Sequence, residues 1–252
     1  MMNGVKRYLK THFLFAMVTA FGLICSLRVA AQPGALSAGK YTEDAARRMI
    51  AASQGTLKPV YAPLAEQIVA DYDLAVKTSG IGIDLGAGPG ELTMELCART
   101  DFHWINADIN PHFFPYFIQE AEKRGLNGRV SAIFADAHNL PFRDNYADVI
   151  VSRGSFHFWE NKEQAFSEIY RVLKPGGVAY IGRGFARDMP VDVARLVRGK
   201  QKNFPDYDAK ADAEQMETIL RNTKINSFHI ERPVPPKSEG LTYGIWIEIK
   251  KE

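Results

Sequence analysis

Hydrophobic positions follow two alternating patterns along this chain. Short apolar runs end at an acidic residue or a glycine, whereas longer stretches repeat their apolar residues every three or four positions, as Val60, Leu64 and Ile68 do. The first pattern is typical of buried strands and the second of helices that pack through one face. The predicted strands are 80–85, 103–109, 129–135, 147–152, 178–182, 225–231 and 241–250, and the predicted helices are 42–53, 59–76, 89–100, 111–124, 162–174, 188–203 and 209–223.

The order of these elements predicts the fold class. Up to Gly182 the predicted strands alternate with helices, except that a polar loop at 136–145 follows the third strand, and this order indicates right-handed β-α-β units and a parallel sheet. After residue 223 the pattern changes, because the last two strands have only the loop Pro233 to Gly240 between them. The chain is therefore predicted to be an α/β protein with a mostly parallel sheet and a C-terminal antiparallel hairpin.

The first 31 residues differ from the rest in charge and hydropathy. A basic stretch around Lys6 precedes an uncharged run at 13–25, and small residues offer a cleavage site before Gln32. This arrangement is typical of a secretory signal peptide. We therefore expect residues 1–31 to be a signal peptide or membrane anchor and 32–252 to form one globular domain.

Two alternatives remain for this N-terminal segment. An uncleaved anchor would associate with a membrane through residues 13–31, although Arg28 interrupts the apolar run. A start codon assigned too far upstream would leave Met17 or Met49 as the true first residue.

Net charge and cysteine content limit the kinds of partner that this chain is expected to bind. The net charge of the chain is +2, and the first 31 residues carry four basic residues and no acid, so the remainder stands at −2. A mildly acidic domain gives no electrostatic basis for binding a nucleic-acid backbone. The two cysteines, Cys25 and Cys97, support neither a disulfide framework nor a zinc site, and we predict no metal. The oligomeric state is left open.

A glycine-rich turn follows the first predicted strand. Asp84 is followed by Gly86, Gly88 and Gly90 at alternate positions, directly before a helix. Glycine is needed where the backbone takes a positive φ or contacts a ligand closely. We expect unpaired N–H groups here, at a helix N-terminus that would suit an adenosine-containing cofactor. A plain strand-to-helix turn is the alternative, and Glu91 disfavours a nicotinamide site, which needs a small residue there.

An acidic residue lies at or next to the carboxyl end of each of the first three predicted strands. Asp108 ends the second strand, where a carboxylate can accept hydrogen bonds from two ribose hydroxyls. Asp136 follows the third strand and is a candidate acceptor for an adenine amino group, and Asp84 is a candidate for an ammonium group through water. Any one of them alone would be explained as a turn or helix cap. Together with the glycines, they predict a single adenosine-shaped crevice.

At this point the chain resembles the class I S-adenosylmethionine-dependent methyltransferases, in the group of the ubiquinone and menaquinone biosynthesis methyltransferases. Five ordered blocks carry the resemblance, and they cover roughly Gly80 to Gly182. They are Asp84-Leu85-Gly86-Ala87-Gly88-Pro89-Gly90, Asp108, Ala135-Asp136-Ala137-His138-Asn139-Leu140-Pro141-Phe142, Ala147-Asp148-Val149-Ile150-Val151-Ser152 and Arg171-Val172-Leu173-Lys174-Pro175-Gly176-Gly177.

The resemblance implies a fold, a cofactor and a set of binding residues. The family's fold is a Rossmann-like, seven-stranded, mostly parallel sheet with helices on both faces and a reversed C-terminal hairpin. The implied cofactor is S-adenosyl-L-methionine. Gly86, Gly88 and Gly90 would admit its methionine part, Asp108 would bind the ribose, Asp136 and Ala137 would lie at the adenine, and the backbone of Ser152 and Arg153 would lie near the methionine ammonium.

The acceptor side is less defined by the sequence. His157, within the aromatic stretch 155–159, is the candidate general base, and a loop histidine packed among aromatics is the alternative. Lys40-Tyr41 with the following helix is a candidate lid, and 204–207 a candidate substrate wall. We predict methyl transfer to a small-molecule acceptor. The alternatives are a protein or RNA acceptor, or a methyltransferase-like protein without activity. Localisation stays open, because the N-terminus favours export and the cofactor favours the cytoplasm.

Overall fold

A computed structural model describes residues 41–199, 208–235 and 241–252. The predicted signal peptide or anchor at 1–31 and the candidate substrate wall at 204–207 lie outside the described residues. Across the described ranges we find no helix with the length and apolar content that crossing a membrane requires.

Helices and strands alternate through most of the described chain. The helices are α1 (Glu43–Gln54), α2 (Lys58–Asp71), α3 (Glu91–Arg99), α4 (Phe114–Lys123), α5 (Lys162–Val172), α6 (Val191–Gly199) and α7 (Ala209–Arg221). The strands are β1 (Ile81–Leu85), β2 (His103–Asp108), β3 (Val130–Phe134), β4 (Ala147–Arg153), β5 (Leu173–Gly184), β6 (Phe228–Glu231) and β7 (Gly244–Lys250). Single 3₁₀ turns lie at 74–76, 111–113 and 156–158.

The strands form one seven-stranded sheet in the order β3-β2-β1-β4-β5-β7-β6. The first five along the chain pair in parallel, with Ile83 opposite Ile105 on one side and Ile150 on the other. Strand β7 runs antiparallel to both of its neighbours, β5 and β6. The predicted Rossmann-like α/β fold and its reversed C-terminal hairpin are therefore confirmed.

Hydrophobic cores cover both faces of the sheet. Side chains of α2, α3, α4 and α6 pack in one cluster, and side chains of α5 and α7 pack in the other. Val60, Leu64 and Ile68 of α2 are all buried, as their four-residue spacing predicts. Because β1 and β4 lie at the centre of the sheet with both faces covered, their carboxyl ends are held rigidly.

Among the element boundaries that differ from the sequence-based prediction, three have a local cause. Helix α3 begins at Glu91 after Gly90 in the left-handed region, so Pro89 lies in the loop and not in the first helical turn. Helix α2 ends at Asp71, because Asp73 takes a positive φ of 51° that breaks the helix. Strand β5 begins at Leu173 and includes Pro175-Gly176-Gly177, where the pairing register with β4 shifts.

Candidate active site

A cavity of about 350 Å³ opens at the carboxyl ends of the central strands. It lies where β1 meets β2 on one side and β4 on the other, which is the switch point of the sheet, and ligands of open α/β sheets bind there. The predicted site residues on its wall are Asp84, Gly86, Gly88, Asp108, Asp136, Ala137 and Arg153. Gly90 and His157 are not among its lining residues.

All three glycines of the loop take positive φ, +68° at Gly86, +56° at Gly88 and +81° at Gly90. A Cβ at Gly86 would lie 2.6 Å from the Oγ of Ser155, so the loop and the segment after β4 touch backbone to side chain. A Cβ at Gly88 would meet nothing closer than 3.9 Å. It would occupy free space at the cavity wall, which is the space a ligand needs.

The N–H groups of these glycines are not free, which corrects the expectation from the sequence. Gly86 donates to the Ala107 carbonyl at 2.7 Å and Gly90 to the Ala87 carbonyl at 3.1 Å. Gly88 donates to the Asp108 carboxylate at 2.7 Å. These bonds hold the tight turn closed against β2. The three glycines therefore provide close approach to the backbone and do not provide an anion-binding nest.

Asp108 is buried, and the backbone fixes its orientation. Its Oδ2 accepts the Gly88 N–H at 2.7 Å and its Oδ1 accepts the Asn110 N–H at 2.8 Å. Burial raises the pKa of this carboxyl, and the backbone hydrogen bonds oppose the shift. A carboxylate oxygen accepts more than one hydrogen bond. Asp108 thus presents both oxygens at the cavity wall in a preset geometry that two adjacent hydroxyls can match.

Asp84 is 2% exposed and accepts one side-chain hydrogen bond, from the Thr93 hydroxyl at 2.8 Å. Burial raises the pKa of Asp84 to about 7, and the nearby charge of Asp108 acts in the same direction. A cationic ligand group would lower this pKa again, because it favours the ionised carboxylate. The environment of Asp84 therefore suits an ammonium group.

His138 lies beside Asp136 on the cavity wall. It was not among the site residues predicted from the sequence. Its backbone N–H and its Nδ1 both reach the Asp136 Oδ1, at 3.0 and 2.6 Å. Its Nε2 accepts the Asn161 N–H at 3.1 Å, so the ring proton resides on Nδ1 and is donated to Asp136. Ala137 is buried between them. This pair fixes the carboxylate of Asp136 beside the cavity.

The other wall is aromatic and comes from distant parts of the chain. Tyr41, at the start of α1, faces the same cavity as Met49 of α1 and Tyr61 of α2. Phe158 and Trp159 close it from the segment after β4. Of these residues, the sequence analysis pointed to Tyr41 only as part of a candidate lid. The spacing of α1 and α2 predicts amphipathic helices, but it does not tell which neighbour their apolar faces meet.

Helix α1 is attached to the core through Glu91, whose side chain is 5% exposed. Gln54, at the end of α1, donates to Glu91 Oε1, as does Tyr116 of α4 at 3.1 Å. Arg124 pairs with the other carboxylate oxygen at 2.6 Å. The residue that disfavours a nicotinamide loop is thus the anchor of the helix that covers the cavity.

His157 lies beside the cavity and not on its wall. Its ring centroid is 4.0 Å from that of Phe158, and the Phe156 ring meets it edge-on at 6.0 Å. Within the described part of the chain neither of its buried ring nitrogens has a hydrogen-bond partner. Burial, with help from Arg183 and Lys162, lowers the pKa of His157 to about 4, so the ring is neutral at physiological pH. Its role as a general base stays a prediction.

Comparisons with known proteins agree with this geometry. A family model described as a methyltransferase domain matches residues 83–181. The ubiquinone/menaquinone biosynthesis C-methyltransferase UbiE of Vibrio campbellii is 36% identical over 97 residues, which span 38% of each chain. The Yersinia pestis (strain Pestoides F) protein of the same name is also 36% identical over 97 residues, 39% of its length. The match therefore spans less than half of these curated relatives.

Solved structures extend the similarity over most of the chain. A putative S-adenosyl-L-methionine-dependent methyltransferase from Methanococcus maripaludis is 32% identical, with a TM-score of 0.71, over 84% of this chain and 94% of that one. A SAM-dependent methyltransferase from Aquifex aeolicus shares the fold with 17% identity and a TM-score of 0.60, over 83% of this chain and all of its own.

Proposed function

Because the chain belongs to the class I S-adenosylmethionine-dependent methyltransferases, we propose that it transfers a methyl group from S-adenosylmethionine to a small-molecule acceptor. One observation carries the proposal: a single cavity brings together the glycine loop, three carboxylates in different environments and an aromatic wall. These are the groups that a nucleoside, an amino-acid moiety and an apolar acceptor require.

The residues at the cavity fit the cofactor of this family. Gly88 leaves space where any side chain would intrude. Asp108 would accept the two ribose hydroxyls, and Asp136 with Ala137 would lie at the adenine. Asp84, which is stabilised in its ionised form by a cation, would face the methionine ammonium, with the backbone of Arg153 beside it. When bound, S-adenosylmethionine supplies a methyl group on a positively charged sulfonium.

The protein's part in such a transfer is mainly positional. Methyl transfer requires the acceptor atom in line with the methyl group, and holding two reactants together contributes a large share of the rate. The buried core of both sheet faces keeps β1 and β4 fixed, while Phe158 and Trp159 give the acceptor side an aromatic wall. A base is needed only for an acceptor that keeps a proton on its reacting atom. The candidate from the sequence is His157, which lies beside the cavity with both ring nitrogens buried.

A small acceptor is supported by the shape and charge of the site. The cavity is a recess of about 350 Å³, a volume that suits a small molecule. The names of the curated relatives refer to ubiquinone and menaquinone biosynthesis. The net charge of −2 beyond residue 31 also disfavours a nucleic-acid acceptor.

Calorimetry on the full chain tests this proposal. We expect S-adenosylhomocysteine, the demethylated product, to bind and NAD not to bind. The Asp108→Ala variant should weaken S-adenosylhomocysteine by roughly 2–3 kcal/mol, the loss expected when a charged hydrogen-bond partner is removed. Asp101→Ala, at an exposed position before β2, is the matched control. Tight NAD binding without a response to S-adenosylhomocysteine would contradict the proposal.

A further inference from the structure

Arg153 is a cavity-lining cation without a carboxylate partner. It ends β4, and its Nε donates to the Gly184 carbonyl at 3.3 Å. Its guanidinium carbon lies 5.5 Å from the centre of the Tyr61 ring. Among the residues that the structure describes, no carboxylate forms an ion pair with Arg153. Every donor on its two terminal nitrogens is therefore left for something else at the cavity.

This arrangement suits the binding of an anion in the cavity. Taking a guanidinium out of water carries a desolvation penalty that an ion pair normally offsets. Burial lowers the pKa of Arg153 and the charge of Arg183 acts in the same direction, whereas Tyr61 and Asp84 oppose the shift. An arginine nevertheless stays protonated in proteins. The wall thus keeps a positive charge that a bound anionic group would compensate.

Arg153 is separated from two of the three carboxylates of the cofactor side, whereas Asp84, on the neighbouring strand β1, is near enough to interact with it electrostatically. Asp108 and Asp136 follow β2 and β3, on the far side of β1 from β4. Arg153 pairs in register with Gly182 of β5, so it lies at the β4–β5 end of the cavity. That end is where the aromatic segment after β4 forms the wall.

The rim at this end is apolar and exposed. Phe158, in the segment after β4, is 56% exposed although it lines the cavity. Aromatic and apolar side chains that remain in contact with water at a cavity mouth are typical of a ligand-binding surface. A ligand at this end would contact an arginine inside and apolar side chains at the entrance.

We propose that the Arg153 side chain binds an anionic group, a carboxylate or a phosphate, on an acceptor whose remaining surface is aromatic or apolar. Arginine suits this role because its planar fork matches either anion with two parallel hydrogen bonds. That the anionic ligand is a methyl acceptor rests on the proposed function. The anion site itself does not depend on that function.

Small aromatic probes test the site directly. Benzoate and phenyl phosphate carry the anion, and benzamide is a neutral molecule of the same shape as benzoate. We expect the full chain to bind the two anions roughly tenfold or more tightly than benzamide, the usual effect of a charged hydrogen bond. Arg153→Gln should abolish this preference, and Arg153→Lys should retain part of it. Arg143→Gln is the matched control, since Arg143 lies over Tyr146 at 5.7 Å, away from the cavity.

Each binding measurement is made with and without S-adenosylhomocysteine, so that the two proposals fail separately. Binding of S-adenosylhomocysteine with no anion preference overturns this inference alone. An anion preference that depends on Arg153, without S-adenosylhomocysteine binding, overturns the proposed function and leaves the anion site. If Arg153→Gln weakens S-adenosylhomocysteine but not 5′-methylthioadenosine, which lacks the amino-acid moiety, the guanidinium serves the cofactor's carboxylate and the inference is wrong. Equal melting temperatures exclude a folding defect.

Discussion

The two ends of the cavity are built differently. At the β1–β3 end, each polar side chain is fixed by backbone groups a few residues away along the chain or by the adjacent loop, as Asp108 is by Gly88 and Asn110. At the β4–β5 end, side chains from α2 and the segment after β4 meet through packing. His157 there has no hydrogen-bond partner among the described residues. The β1–β3 end is therefore built for one particular ligand. The ligand of the β4–β5 end can differ after a few side-chain substitutions.

Adding one methyl group to the glycine loop should have the largest effect. Gly86→Ala places a Cβ against Ser155 at a φ of +68°, so it should abolish S-adenosylhomocysteine binding and lower the melting temperature. Gly125→Ala has the same backbone strain, with a φ of +67°, and meets nothing within 4 Å. It should cost only about 1–2 kcal/mol of stability and leave binding intact. Normal S-adenosylhomocysteine affinity in Gly86→Ala would show that the β1–β3 end tolerates a substitution in its glycine loop.

His157→Gln probes the other end. If His157 is the general base, turnover should fall roughly 10²- to 10⁴-fold with cofactor affinity unchanged. The wild-type rate should then hold down to about pH 4, the pKa of His157 in the folded protein. Stability should rise with pH between about 4 and 6.5, because the unfolded chain binds the proton first. Near-normal turnover per folded molecule, with this stability profile lost, would assign His157 to packing.

The pH dependence of cofactor binding should show the smallest effect. The pKa of Asp84 is about 7, so lowering the pH from 8 to 6 neutralises the carboxyl and removes its attraction for an ammonium group. We expect S-adenosylhomocysteine affinity to fall by up to about tenfold, with a much flatter profile in Asp84→Asn. In the free protein the sign is opposite, because a raised carboxyl pKa makes stability fall as the pH rises from 3.8 towards 7. Identical profiles in both proteins would contradict the role of Asp84.

The difference between the two ends also explains what the sequence could predict. Asp84, Asp108 and Asp136 each follow a strand, and parallel strands bring their carboxyl ends to one edge, so order along the chain was enough to place them together. The alternation of strands and helices predicted the sheet and its reversed strand for the same reason. Local rules also placed the boundaries of most elements within a few residues.

Where the prediction was wrong or incomplete, the cause was a contact between distant segments. The N–H groups of Gly86 and Gly88 are occupied because β2 lies beside the loop, which spacing alone does not reveal. Tyr61 and Met49 reach the cavity because α1 and α2 pack over it. His138 was visible in the sequence, but its tie to Asn161 depends on how the segment before α5 folds back.

The position of β7 has a consequence for how the molecule is made. It is the last strand along the chain, yet it lies inside the sheet, between β5 and β6. During synthesis β1 to β5 and the whole glycine loop leave the ribosome long before β7 does. Until then the backbone hydrogen-bonding groups on the outer edge of β5 are unpaired. An open strand edge is a template for pairing with other chains. Nascent or truncated forms lacking residues 244–250 should therefore be prone to aggregate, even though every cofactor motif is already present in them.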